Sequence, residues 1–439
     1  MRPRSSALSL SAYGAAALMT VALPACRSTV DSLGYNDADH IPLHPLVGPA
    51  AYANPFRDVL GKSDAEIAAK IAGAFAQLFH GDPSTQAIYF PVGADRGFIQ
   101  DILHADVRTE GIGYGMLVAV ELDKRDELDR LWTYARTTLR IASGPSAGYF
   151  SSFCDTSAAA IPCLDPFGLQ QMTMALIFAH DRYDARHDAL PDAGAGPADA
   201  AAPAIDYGAD ARALLDLMRH KQDRNGGITG GVTDTFDAAT KLVFDVPDVS
   251  AAGIGRPAIE MPAYYDLWAQ ATGDPFWTGA AAAARDYWRR TAHPLTGLTP
   301  VRASFAGAPV AGGDTFTPEA YRTQLSMVLD HVWSAGGGGD AWLVSEADRL
   351  LNFFAAQGID SYGASFTLDG ARVLTPFHDP SLVIVNGVSA LAATPAAAQR
   401  TAFIDAVWNL EVPTGFSRYY AGILDLLGLL VLGGQLRVW

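Results

Sequence analysis

The chain reads as an all-α protein whose helices come in sequential pairs. Apolar residues recur at three- and four-residue spacing in twelve separate segments, and the stretches between them are glycine- and proline-rich or briefly strand-like. Twelve helices taken two at a time make six pairs, which fits an (α/α)6 barrel with inner helices alternating with outer ones. An α-solenoid would use the same count, but no sequence period recurs.

The first helix opens on a capping box, Ser63-x-x-Glu66, ahead of Ile67, Ile71, Phe75, Leu78 and Phe79 on one face. A strand-like piece, Ile88–Phe90, leads toward the second, Glu110–Leu122. Then come Asp126–Arg140, Leu169–Tyr183 and Tyr207–Lys221. After the strand-like Lys241–Phe244 follow Ile259–Ala271, Pro275–Thr291, Pro318–Trp333 and Ala341–Gln357. Leu382–Ala393, Ala397–Leu410 and Arg418–Leu432 complete the series. The last is apolar nearly all round from Gly422 on, so it belongs inside. Trp132, Trp268 and Trp288 stand at helical spacing with Leu and Tyr and read as core. Asp184–Pro203, rich in Ala, Asp, Gly and Pro, reads as an insertion loop.

With 439 residues, 49% of them apolar, the chain can bury a sizeable core. A formal charge of −16 with no basic cluster argues against nucleic acid and anionic membrane surfaces as partners. A neutral ligand such as a sugar is indifferent to that field. Arg2 and Arg4 followed by the apolar run Ala7–Ala25 read as an export signal over residues 1–25, too short for a confident span. It ends Leu23-Pro24-Ala25-Cys26, which resembles a bacterial lipobox. Lipid on Cys26 is therefore expected, as the only membrane contact of a periplasmic or outer-membrane protein. The alternative is an ordinary secretory signal. Residues 26–55 are polar with scattered prolines and read as a tether, and residues 56–439 as one domain. In an exported chain Cys154 and Cys163 are expected to pair as a disulfide, which would stabilise by roughly 2–3 kcal/mol. Without nearby histidines they do not fill a zinc shell, and no metal or cofactor is expected.

The most informative stretch is Asp106-Val107-Arg108-Thr109-Glu110-Gly111-Ile112-Gly113-Tyr114-Gly115-Met116. Thr109 and Glu110 fall at the start of a helix that three glycines then open. Each glycine costs roughly 1 kcal/mol against alanine in a helix interior. Something therefore approaches the backbone there, either another helix or a ligand, and the adjacent carboxylate favours a ligand.

Arg108-Thr-Glu110-Gly-x-x-Tyr114-Gly-Met116 resembles the general-acid motif of glycoside hydrolase family 8. The nearest branch resembles the reducing-end xylose-releasing exo-oligoxylanases. The likeness runs in order through Ile88-Tyr89-Phe90-Pro91, His293-Pro294-x-Thr296-Gly297-Leu298 and Phe316-x-x-x-x-Tyr321-Arg322. It ends in His378-x-x-x-Leu382-x-x-x-Asn386 and Pro413-x-Gly415-x-x-Arg418-Tyr419-Tyr420-x-Gly422. The resemblance implies the (α/α)6 barrel and an inverting hydrolysis of β-1,4-linked oligosaccharides.

Ile112 and Gly113 occupy the two free positions of that motif. The substrate class it implies is β-1,4-linked oligosaccharides, xylo-oligosaccharides among them. Such a reaction needs two carboxyl groups flanking the scissile bond, about 6.5–9.5 Å apart in inverting enzymes. By motif match Glu110 is the general acid; as a plain helix-start residue it would instead have a lowered pKa. The base falls to Glu319, where the branch carries an Asp. The extra methylene extends its reach by roughly 1.5 Å, and misplacement on that scale costs on the order of a hundredfold in rate. Asp314 is a second candidate for the base. Phe167 stands where the family has a sugar-binding Asp, with Asp165 either its replacement or a turn residue before Pro166. Ser151-Ser152 replace a stacking aromatic, and Ala421 replaces an Asn. His378 matches a histidine that contacts the reducing-end sugar, and Tyr114, Tyr321, Arg322 and Tyr420 remain as groove candidates. These departures keep a second class open: a carbohydrate-binding lipoprotein with part of its catalytic machinery lost.

Overall fold

All twelve expected helices form among the residues that the computed structural model describes, which are 40–152, 163–184, 205–333, 340–395 and 398–439. They are α1 (Asp64–His80), α2 (Thr109–Glu121), α3 (Arg125–Tyr134), α4 (Pro166–Ala179), α5 (Tyr207–Arg224) and α6 (Pro262–Thr272). The second half comprises α7 (Pro275–Thr291), α8 (Pro318–Trp333), α9 (Ala341–Gln357), α10 (Pro380–Ala392), α11 (Arg400–Asn409) and α12 (Tyr420–Leu432). Aspartates set several of the starts. Asp165, Asp274 and Asp379 each precede a proline and accept a backbone N–H from the first turn. The ends of the third and fourth expected helices differ from a plain α pattern: Ala135–Leu139 and His180–Asp184 wind as π-turns.

Even-numbered helices form the inner layer of an (α/α)6 barrel. α4 is buried along its whole length, and α2, α10 and α12 are buried at every position except Glu110, Pro380 and Tyr420. Odd-numbered helices are amphipathic, as α1 shows by burying only Ile67, Ile71, Ala74, Phe75, Leu78 and Phe79. Particular contacts join each inner helix to the next. A Cβ on Gly113 would lie 2.4 Å from the Gln171 Cβ, and one on Gly168 would lie 2.4 Å from the Thr109 carbonyl carbon, so α2 and α4 meet nearly backbone to backbone. Tyr264 and Tyr265 donate to Gln171 and Gln170 at 2.6 and 2.8 Å, tying α6 to α4. Tyr264 stacks on Trp333 of α8 at 5.7 Å. Ser389 donates to Gln324 at 3.1 Å between α10 and α8, and Gly428 admits Ile384 between α12 and α10. Contacts of α12 with α2 close the ring.

The glycines of α2 serve this packing. Gly111 receives the Tyr419 ring, Gly113 receives α4, and Gly115 receives the Ile99 and Leu131 side chains. The expectation of a ligand against that backbone is therefore corrected: protein fills the space at all three positions. A three-stranded antiparallel sheet, β1 (Tyr89–Val92), β2 (Arg96–Asp101) and β3 (Asp106–Val107), delivers the chain to α2. Lys241–Phe244, expected to be strand-like, forms only an isolated bridge between Val243 and Phe236. Trp132, Trp268 and Trp288 are fully buried, as expected.

Part of the expected tether lies on the domain. Leu43, Leu46 and Tyr52 pack against the core, and the N–H groups of His44 and Leu46 donate to the Ala271 carbonyl and the Asp181 carboxylate. Apolar side chains in an otherwise polar stretch explain the difference. The expected signal segment, Cys26, Cys154, the Cys163 side chain and most of the expected insertion loop lie outside the described residues. No helix among the described residues is long and apolar enough to cross a membrane.

Two predictions follow from the packing. Gly168→Ala forces a Cβ into the backbone of Thr109 and Glu110, so it should cost roughly 1–3 kcal/mol in chemical denaturation. Glu260 is buried and pushed up to about 8 by desolvation, which its bonds from the Val243 N–H and the Tyr265 hydroxyl only partly offset. The folded state therefore holds a proton that the unfolded chain releases near its ordinary value of 4.5. That contribution is fully present below the unfolded pKa and is lost as pH rises toward 8. Glu260→Gln removes the titration, so its melting temperature relative to wild type should climb between pH 4 and pH 8 and then level off.

Candidate active site

The N-terminal ends of α2, α4, α8, α10 and α12 open on one cavity of about 530 Å³. The few inner-helix positions that escape burial there, Glu110, Pro318, Glu319, Pro380 and Tyr420, all line it.

At the start of α2 the first backbone N–H is satisfied locally. The Thr109 N–H donates to Ser152 Oγ at 3.0 Å, and the Thr109 hydroxyl donates to Asp165 at 3.1 Å. Glu110 follows with its carboxyl 2.6 Å from Arg322 Nη1. Arg322 lies over the Phe167 ring, 4.7 Å from its centroid, and Tyr114 meets the same ring edge-on at 5.4 Å. Burial pushes the Glu110 carboxyl above its ordinary range, and Asp165 adds to that. The cation of Arg322 opposes the shift without reversing it. Glu110 thus departs from a plain helix-start glutamate, whose pKa would fall.

Glu319 is the second residue of α8, after Pro318. It is exposed and makes no hydrogen bond or ion pair among the described residues. The cavity thus holds one largely enclosed carboxyl, Glu110, and one exposed carboxyl, Glu319. Asp314 is exposed and does not line the cavity.

The remaining expected site residues divide in two. Asp165, Arg322 and Tyr420 line the cavity with Glu110 and Glu319. Asp165 is also the N-cap of α4, accepting from the N–H groups of Phe167 and Gly168 at 3.1 and 3.2 Å. Tyr420 donates to the Pro318 carbonyl at 2.6 Å, linking α12 to the start of α8. Tyr114 and Tyr321 are corrected: both are buried behind the cavity wall, and Tyr321 spends its hydroxyl on the Ala364 carbonyl. His378 is also outside the lining, held through Nδ1 to the Tyr362 carbonyl at 2.9 Å and edge-on to that ring. Phe167, standing where a sugar-binding Asp was expected, is buried beneath Arg322 and does not reach the cavity.

Several lining residues had no sequence signal. Asp379 caps α10 and borders the cavity, while Leu103, Phe377 and Phe416 present 66%, 62% and 75% of their surface to solvent at its rim. An Asp-Pro pair announces a helix start but not what the helix points at, and a lone exposed aromatic follows no period.

No protein-family model matches the chain. It is 33% identical over 398 residues to the reducing-end xylose-releasing exo-oligoxylanase Rex8A of Paenibacillus barcinonensis, covering 88% of this chain and 97% of that protein. It is 31% identical to the reducing end xylose-releasing exo-oligoxylanase of Halalkalibacterium halodurans, covering 88% and 94%. The solved structure of the Paenibacillus protein complexed with xylose superposes with a TM-score of 0.75 at 32% identity, covering 89% of this chain and 98% of that one.

The Glu110–Arg322 pair makes a testable prediction. Arg322→Met removes the one nearby cation bonded to the carboxyl, so the Glu110 pKa should move further up. Carbon-13 NMR of the glutamate carboxyls across a pH titration would read the shift; a fall would contradict the assignment of causes.

Proposed function

Because this chain belongs to glycoside hydrolase family 8, we propose that it hydrolyses β-1,4-linked xylo-oligosaccharides with inversion and releases xylose from their reducing ends. Glu110 is the general acid in this reading and Glu319 the general base. The observation that carries it is the contrast between the two carboxyls in one cavity. One is largely enclosed, which raises its affinity for a proton; the other is exposed to solvent.

In the reaction Glu110 gives its proton to the glycosidic oxygen as the bond to the anomeric carbon breaks. Water adds to that carbon from the opposite face and passes a proton to Glu319. The sugar leaves with inverted configuration, Glu110 ends as the carboxylate and Glu319 as the acid. Solvent then returns the proton. Arg322, 2.6 Å from Glu110, stabilises the carboxylate as it forms. Burial thus favours the protonated acid, and the guanidinium assists the proton's departure.

Incubation with β-1,4-linked oligosaccharides, followed by proton NMR of the released anomer, tests the reading. Glu110→Gln should lower kcat by roughly 10²–10⁴-fold while oligosaccharide binding persists, because an amide keeps the shape but gives no proton. Glu319→Ala should abolish turnover and Glu319→Asp should keep it. A wild type that binds these sugars but releases no reducing ends would instead support the binding-protein alternative.

A further inference from the structure

Phe416, Leu103 and His104 line the cavity but take no part in the acid–base chemistry above. Single exposed apolar residues are ordinary, but three large ones, Leu103, Phe377 and Phe416, on the rim of a carboxylate-lined cavity are a feature to explain. Phe416 stands on the short turn Gly415–Arg418, and that turn is braced. The Gly415 N–H donates to the Thr85 carbonyl at 2.9 Å. The Arg418 guanidinium donates to the carbonyls of Ala87, Gly415 and Pro83 at 2.9, 2.7 and 3.2 Å. The backbone therefore holds the ring out over the rim.

Leu103 and His104 sit on the turn between β2 and β3, organised by the buried Asp101. Its carboxylate accepts from the N–H groups of Leu103 and His104 at 3.1 and 3.3 Å and lies 2.7 Å from His104 Nδ1. With Nδ1 engaged by that carboxylate, Nε2 is left for another partner. Tyr419 joins the two segments: its ring lies against Gly111, and its hydroxyl is in the field of Asp101 and Glu110.

The geometry points to a sugar subsite on this wall, in which Phe416 and Leu103 meet the C–H face of a pyranose ring and His104 Nε2 bonds one of its hydroxyls. A β-1,4-linked xylosyl unit, with its hydroxyls equatorial, offers such a face. Asp101 is a positioning residue that acts through His104. The assignment rests on the proposed sugar specificity and adds to it a contact with a unit other than the one being protonated. None of the three residues occupies a motif position: Leu103 and His104 precede Asp106, and Phe416 lies between Gly415 and Arg418.

The test is a chain-length series from xylobiose to xylopentaose, read as KM and kcat, with Phe416→Ala, Phe416→Trp, His104→Ala and Asp101→Asn. Phe416→Ala should raise KM for the longer substrates by roughly threefold to tenfold relative to its effect on the shortest, with kcat little changed. Phe416→Trp should restore most of the loss, and Asp101→Asn should weaken the same substrates as His104→Ala. Loss equal at every length, or no loss at any length, would overturn the subsite. Calorimetric binding of the same series to Glu110→Gln separates the two readings. If wild type fails to hydrolyse but binds, the hydrolase reading falls and the length dependence of binding still decides the subsite. If none of the xylo-oligosaccharides binds, both fall.

Discussion

The close crossing of α2 and α4 is the constraint on which the site depends. Gly113 and Gly168 remove the two side chains that would hold the helices apart, and the backbone of Gly168 comes to rest beside Thr109 and Glu110. Two helix starts are thereby brought together, and their unsatisfied donors are served by shared groups. Asp165 caps its own helix and also accepts from the Thr109 hydroxyl, while Ser152 takes the Thr109 N–H. The Glu110 carboxyl makes no capping bond to its own helix and lies beside Arg322. A bulkier residue at either glycine would move the acid along with the helix.

Two opposed effects set the character of that acid. Desolvation disfavours the carboxylate, while an arginine at 2.6 Å favours it, and burial prevails. Arg322 is in turn enclosed by aromatic surface, with Phe167 beneath it and Tyr114 behind. Phe167 therefore has a definite place in the wall: it supports the cation that faces Glu110. Phe167 thus supports the arginine from below, and Asp165 lines the cavity.

Helix existence was legible in the chain because burial of one stripe, or of every face, leaves a periodic mark. All twelve segments form, and α12, apolar nearly all round, is internal as expected. Their ends were less legible: Asp165-Pro166 and Asp379-Pro380 start helices earlier than the apolar pattern does. The three glycines of α2 marked a close approach, but the chain did not reveal that Tyr419, Gln171 and Ile99 would be the groups arriving. Spacing records that room is needed and is silent about the occupant.

By itself the sequence determined the helical pairs, the family resemblance and Glu110 with its motif, since each depends on residues close together in the chain. Tertiary structure alone decided which of the motif's aromatic and charged residues reach the cavity. Tyr114, Tyr321 and Tyr420 look alike in sequence, yet only Tyr420 lines it. Asp101, Asp379, Phe377 and Phe416 became site residues because distant loops meet where the inner helices begin. The physical reason is that burial and proton affinity are set by everything packed around a group, and those neighbours lie up to hundreds of residues away.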